Sequence, residues 1–331
     1  MNSTFEILGE KVEPGTRKPV MIKTSEFYTG NPVKLPLIIT HGVEEGPRLF
    51  VTAAVHGDEI NGIEILRRLN AKLDPENVTG TLICFPIVNI FGFYSMQRKM
   101  QDGRDLNRSF PGIEKGSSTA RIAKLLYEEI IKKCDYGIDL HTPRANRFEI
   151  PHTEADTFNE AAFRIARAFG LPVIIHTKGP EKSLQHTATE EGIPTIVYSA
   201  GEVLRFHEEI TQRGVEGILN VMHELGMFEV KTTHPDYSII VQESRAIHTK
   251  KGGILHVGVN TGQLIYEHDY IGKVLNPFGF EVEDIHAPEN GLIICISTNP
   301  LVNPGDEICS YVMLDKSLGT VENALKNNDV I

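Results

Sequence analysis

Three short segments hold the side chains best suited to chemistry. AAVHGDEING carries His56 and Glu59, GIDLHTP carries His141, and DGRDLNRSFPG lies between them in the chain. Two imidazoles and one carboxylate form the ligand set of catalytic zinc sites, which keep a fourth position open for water. Taken alone, an HxxE pair is a weak signal, and each residue could be an isolated polar group at a strand end. The joint occurrence of the three segments changes that weighting. Asp139 stands two residues before His141 and so shares its face of a strand, where a carboxylate could orient a metal-bound imidazole.

Asn107 and Arg108 are the most informative polar pair in the third segment. A guanidinium fork matches a carboxylate bidentately and an adjacent amide completes the clamp; the alternative is a solvated loop. Leu106 and Phe110 would anchor that loop and fix its direction. A metal-dependent acyl hydrolase also needs a positive donor beside the developing oxyanion, and Arg98 or Arg104 could be that group. His152, His176, His186, His207, His234 and His286 are expected at the surface or as satisfied core residues.

These side chains need a rigid frame, and the hydrophobic pattern supplies one. RLFVTAAVHG and TLICFPIVNI are nearly continuous apolar runs, as expected of strands buried on both faces. YGIDLH, LPVIIHT and PTIVYSAG continue the series. Between them, NGIEILRRLNAKL places Ile63, Leu66, Leu69 and Leu73 at helical spacing. STARIAKLLYEEIIKKC, capped by Ser117 or Ser118, FNEAAFRIARAFG and a stretch from about Glu208 to Leu225 also read as helices. Such alternation predicts an α/β fold with a mostly parallel sheet covered on both faces. His56, Glu59 and His141 then sit at the carboxyl ends of strands, where such sheets bind ligands.

The first 40 or so residues predict a peripheral hairpin. From about Ser238 to Met313 there is no helical pattern, only short β-rich runs cut by KKGG, NTG, NPFG, PENG and NPGD. That density of turns predicts a small all-β barrel or sandwich. The break near Glu229–Tyr237 divides the chain into residues 1–228 and 229–331, with a mobile tail expected from about Leu314.

Composition sets outer limits. The 331 residues are 40% hydrophobic and 23% charged, ordinary for a chain that buries a full core. A formal net charge of −11 without a basic run argues against nucleic acid. No window approaches the ~20 apolar residues of a membrane span, and the N-terminus lacks the pattern of a secretory signal. Cys84, Cys134, Cys295 and Cys309 lie scattered in apolar segments without CxxC spacing, as expected of buried thiols in a reducing, cytoplasmic setting.

In this order and spacing, HGDE, DLNRSFPG and DLHT resemble the succinylglutamate desuccinylase/aspartoacylase family, a branch of the zinc carboxypeptidase superfamily. The resemblance implies a zinc carboxypeptidase-like catalytic part followed by a biotinyl/lipoyl-type barrel-sandwich module. No lysine there has a convincing carrier context, so the module is expected to act as a lid or assembly element. The resemblance further implies one zinc on His56, Glu59 and His141, a substrate carboxylate held by Asn107 and Arg108, and Arg98 as the carbonyl-polarising arginine.

One position departs from the family. Its general base is a glutamate in a pattern like PTI-x-x-E-A-G-E, whereas GIPTIVYSAGE places Ser199 there and keeps the second acid, Glu202. Loss of a positioned base costs about 10²–10⁴ in rate. Glu202 could serve as base, the family position could be misassigned, or the chain could be impaired. The leading expectation is a zinc hydrolase that deacylates a small N-acyl amino acid, with Glu202 as base and a homo-oligomer possible. The rivals are a short-peptide metallocarboxypeptidase and a catalytically silent sensor that keeps the metal pocket.

Overall fold

The computed structural model describes residues 2–27, 29–232, 235, 237–242, 244–314 and 317–327. Among them, one sheet joins thirteen strands. Its centre is parallel: Thr195–Gly201 pairs with Tyr136–His141, that strand with Glu44–Ala53, and that one with Thr79–Phe85. The early hairpin of Thr16–Glu26 and Pro32–His41 extends one side antiparallel. The α/β fold with a mixed, mostly parallel centre is therefore present as the sequence predicts.

Strand Glu44–Ala53 shows why its run is continuously apolar. Leu49, Val51 and Ala53 enter the core cluster that holds Ile65, Leu66 and Leu69 of helix Asn61–Lys72. Phe50 enters the opposite cluster, with Ile122, Leu126 and Tyr127 of helix Ser118–Glu129. From Leu49 to Ala53 both faces are covered, so a polar side chain there needs a partner, as Thr52 has in Asp139. Helix Asn61–Lys72 buries Ile65 where Ile63 was expected, a rotation of its apolar stripe. Ser117 caps helix Ser118–Glu129 by accepting from the Ala120 N–H.

On the other side of the centre, Arg147–Ala155 runs antiparallel to Thr195–Gly201 and carries the sheet into the C-terminal segment through Gly291–Ser297, Glu307–Met313 and Ser244–His248. A second antiparallel sheet of Gly253–Val257, Tyr270–Leu275, Glu281–His286 and Leu301–Val302 packs over these strands. Ile247, Leu255, Ile271, Val274, Ile293 and Ile308 fill the space between them. The β-rich C-terminal strands are thus built onto the central sheet.

The expected tail from Leu314 is corrected over its described part. Leu318–Asn327 is a helix, and Leu318 and Val321 pack with Leu292, Val312 and Leu314. Spacing of i and i+3 puts both on one face, which the module covers. His234 lies outside the described residues.

Candidate metal centre and active site

Strand Glu44–Ala53 ends against a turn in which Ala54 adopts a left-handed φ of 50°. The chain then folds through His56, Gly57, Asp58 and Glu59 into helix Asn61–Lys72, with the Glu59 N–H donating to the His56 carbonyl at 3.2 Å. Gly57 is required there: a Cβ would stand 1.9 Å from the Gly92 carbonyl carbon. His141 closes the adjacent strand Tyr136–His141. The turn and the strand end thus bring His56, Glu59 and His141 together from opposite sides of an 82-residue gap in the chain.

Their donor atoms all lie within 4.8 Å of one another. His56 Nδ1 is 2.7 Å from Glu59 Oε1, and His141 Nδ1 is 2.7 Å from Glu59 Oε2. The other ring nitrogens face carboxylates: His56 Nε2 lies 3.1 Å from Asp105 Oδ1, and His141 Nε2 lies 2.8 Å from Asp139 Oδ2. Asp139 is itself held, accepting from the Thr52 hydroxyl at 2.7 Å. An imidazole with one nitrogen free inward and the other fixed on a carboxylate is the arrangement of metal-binding histidines.

Electrostatics point the same way. Burial alone would lower the His56 and His141 imidazolium groups. For His56, Glu59 and Asp105 outweigh it; for His141, Asp139 and Glu59 raise it well above its ordinary value. Burial alone would raise the Glu59 carboxyl, but the two histidines hold it below the ordinary carboxylate range. The donor set fits a metal ion on one further observation. His56 Nδ1 is buried and has no hydrogen-bond partner, although a carboxylate oxygen stands close by. A cation shared between nitrogen and oxygen would satisfy both.

Arg98 reaches the same point. Its Nη1 donates to Glu59 Oε1 at 2.9 Å, while Nη2 lies 3.6 Å from Asp105 Oδ2. Asn89 fixes the Arg98 backbone by donating to its carbonyl at 3.1 Å. Arg104, the other candidate, does not line the pocket and faces Asp102 at 4.0 Å. Asp105 accepts from the Asn107 N–H at 2.9 Å and so shapes the turn that presents Asn107 and Arg108. Leu106 and Phe110 are buried on either side of that turn. Asn107 Oδ1 accepts from the Leu184 N–H at 2.8 Å, and Arg108 Nη1 donates to the Asn107 carbonyl at 2.6 Å. Both side chains line the pocket that holds the histidines.

Ser199 lines it too, in register with His141 on the neighbouring strand. Glu202 does not. Gly201, with φ of 80°, turns the chain out of the sheet just before it. The Glu202 carboxylate then faces Arg205 and His207, each 3.5 Å away. Glu202, one of the candidates for the base, therefore lies outside the residues that line the pocket.

Sequence reading passed over strand Arg147–Ala155, which contributes Arg147, Glu149, His152 and Glu154 to the pocket wall. The available signal was polar alternation in RFEIPHTEA, obscured by Pro151. His152, expected at the surface or as a satisfied core residue, is a pocket group. Gln242, Ser244, Arg245, Cys295, Glu307 and Ser310 close the far side of a cavity of about 690 Å³. The C-terminal strands therefore contribute to the pocket wall.

Residues 45–225 match the family model described as the succinylglutamate desuccinylase/aspartoacylase catalytic domain. The chain is 28% identical over 334 aligned positions, 96% of each protein, to an N-alpha-acetyl-L-2,4-diaminobutyric acid deacetylase of Halomonas elongata. Its fold is similar to the product-bound ectoine utilization protein EutE (DoeB) of Ruegeria pomeroyi, with a TM-score of 0.82 and 21% identity, covering 94% of this chain and 98% of that one. It is also similar to a succinylglutamate desuccinylase of Silicibacter sp. TM1040, with a TM-score of 0.81 and 22% identity at the same coverage. The chain belongs to the succinylglutamate desuccinylase/aspartoacylase family.

Proposed function

We propose that this family member is a zinc-dependent hydrolase that removes the acyl group from a small N-acyl amino acid. The observation that carries the reading is the convergence of His56, Glu59 and His141 beside Arg98 and the Asn107–Arg108 pair in one pocket. Zinc held by the three ligands would supply Lewis-acid polarisation and an activated nucleophile at neutral pH. Arg98 is placed to stabilise negative charge as it develops on the scissile carbonyl oxygen. Asn107 and Arg108 fix the substrate carboxylate, and so set the distance from that carboxylate to the amide being cut. Residues 1–228 would form the catalytic part and residues 229–331 a module that walls the pocket.

The Halomonas relative makes acetylated amino acids the first substrates to try. The four cysteines are free and buried, in keeping with a cytoplasmic setting. The deciding experiment is hydrolysis of a panel of N-acetyl and N-succinyl amino acids, with and without zinc. Zinc-dependent release of free amine supports the reading. Stoichiometric zinc binding with no turnover across the panel would favour the silent sensor, whose supporting observation is Ser199.

A further inference from the structure

Four glutamates line the pocket: Glu59, Glu149, Glu154 and Glu307. Three have charged or metal-binding partners. Glu59 faces the two imidazoles, Glu154 Oε1 lies 3.6 Å from His152 Nε2, and Glu307 Oε2 lies 2.6 Å from Arg147 Nη2. Among the described residues Glu149 makes no ion pair; its Oε2 accepts from the Ser199 hydroxyl at 2.7 Å. Glu149 and Ser199 sit on adjacent antiparallel strands whose register slips between Ser199 and Gly201, opposite Pro151. Ser199 pairs with His152, yet Glu149 reaches back across the slip to the serine. On its other side Ser199 is the register partner of His141, on a strand about 5 Å away.

We infer that Glu149, held by Ser199, is the general base of this chain, supplied from the neighbouring strand in place of the carboxylate that position 199 lacks. The inference rests on the hydrolase reading above. A water molecule gives one proton to the Glu149 carboxylate while its oxygen bonds to the carbonyl carbon. The tetrahedral species collapses by breaking the carbon–nitrogen bond, and Glu149 returns that proton to the leaving nitrogen. The products are the acid of the acyl group and the free amino acid. Burial raises the Glu149 carboxyl, with His152 only partly offsetting it, which brings its proton affinity closer to what a base needs near neutral pH. The groups facing it are Arg147, His152 and Glu154 of its own strand, Ser199 across the sheet, and Cys295 from the C-terminal strands, with Glu307 beyond Arg147. Glu154, the nearest competitor, is held below its ordinary value because His152 outweighs the effect of burial.

The test uses the full zinc-loaded chain. Glu149→Gln is expected to lower kcat by about 10²–10⁴-fold with bound zinc unchanged. Ser199→Ala, which removes only the positioning hydrogen bond, should lower kcat about tenfold, leave KM in place and shift the acid limb of the pH profile. Combining Glu149→Gln with Ser199→Glu should recover activity over Glu149→Gln alone, because a carboxylate again stands beside His141. If Glu149→Gln does not fold, Glu149→Asp takes its place, with a lowered kcat and unmoved KM expected. Glu149→Gln, or Glu149→Asp in its stead, within threefold of wild type would overturn the inference, as would loss of turnover in Glu202→Gln alone. If the wild type hydrolyses no member of the panel, the hydrolase reading fails separately. The pH titration of the cobalt-substituted protein's visible spectrum then decides: a midpoint moved by Glu149→Gln supports Glu149 at the metal, and an unmoved midpoint overturns it.

Discussion

The imidazoles of His56 and His141 stand 5.1 Å apart, centroid to centroid, and each turns Nδ1 to a different oxygen of Glu59. Three donors from a turn and a strand end therefore share one point. Chelator-treated protein is expected to take up one zinc per chain, and His141→Ala to lose it, as read by elemental analysis after dialysis. Because zinc binds the folded state, free zinc at a hundred times Kd should raise the unfolding free energy by about 2.7 kcal/mol. The accompanying rise in Tm should be missing from His141→Ala. A rise of the same size in the variant would place the metal elsewhere.

Asp139 gives a sharper test, because it touches the cluster only through His141. Its Oδ2 faces His141 Nε2 at 2.8 Å and its Oδ1 accepts from Thr52 at 2.7 Å. Asp139→Asn keeps the shape but removes the charge that fixes and enriches the imidazole. Zinc affinity should fall about 10–100-fold, measured by competition with a chromophoric chelator. Equal affinities would show that the carboxylate is only a core group.

Arg108 is held by its own backbone neighbour, with Nη1 donating to the Asn107 carbonyl at 2.6 Å. That bond leaves most of the guanidinium's donors to meet a substrate carboxylate. Arg108→Lys keeps the charge and loses the fork, so KM should rise at least about tenfold with kcat less affected. An unchanged KM on the best substrate of the panel would remove Arg108 from the clamp.

The parts of the fold that could be read from the sequence are those where burial leaves no choice. Val51, Ile138 and Ile196 lie on strands covered on both faces, so their runs are apolar and end abruptly at polar residues. His141 stands out for that reason. Strand Arg147–Ala155 obeys a different rule: alternate side chains face the pocket, and Pro151 sits where the register slips. It resembles a loop in one dimension, and Glu149 with it. Glu202 stands apart for a local reason that its distance past the strand already hinted at, since the turn at Gly201 redirects the chain. The C-terminal helix was hidden because the partners of Leu318 and Val321 are distant in sequence.

His152 links the pocket to stability. Its Nδ1 lies 3.0 Å from the Ile150 carbonyl and its Nε2 3.6 Å from Glu154 Oε1. Burial alone would lower this imidazolium, but Glu149 and Glu154 outweigh it and hold the group up at about 9. An unfolded histidine titrates near ~6.5. The folded value is the higher one, so the folded chain keeps a proton that the unfolded chain gives up. The resulting stabilisation is complete below about pH 6.5 and is lost as pH rises through about 9. His152→Gln cannot hold that proton. Urea unfolding at a series of pH values should therefore show the wild type losing stability relative to His152→Gln between those limits, with the gap constant above them. Parallel curves across the whole range would mean that His152 gives up its proton at the same pH folded and unfolded, so that Glu149 and Glu154 do not hold it charged.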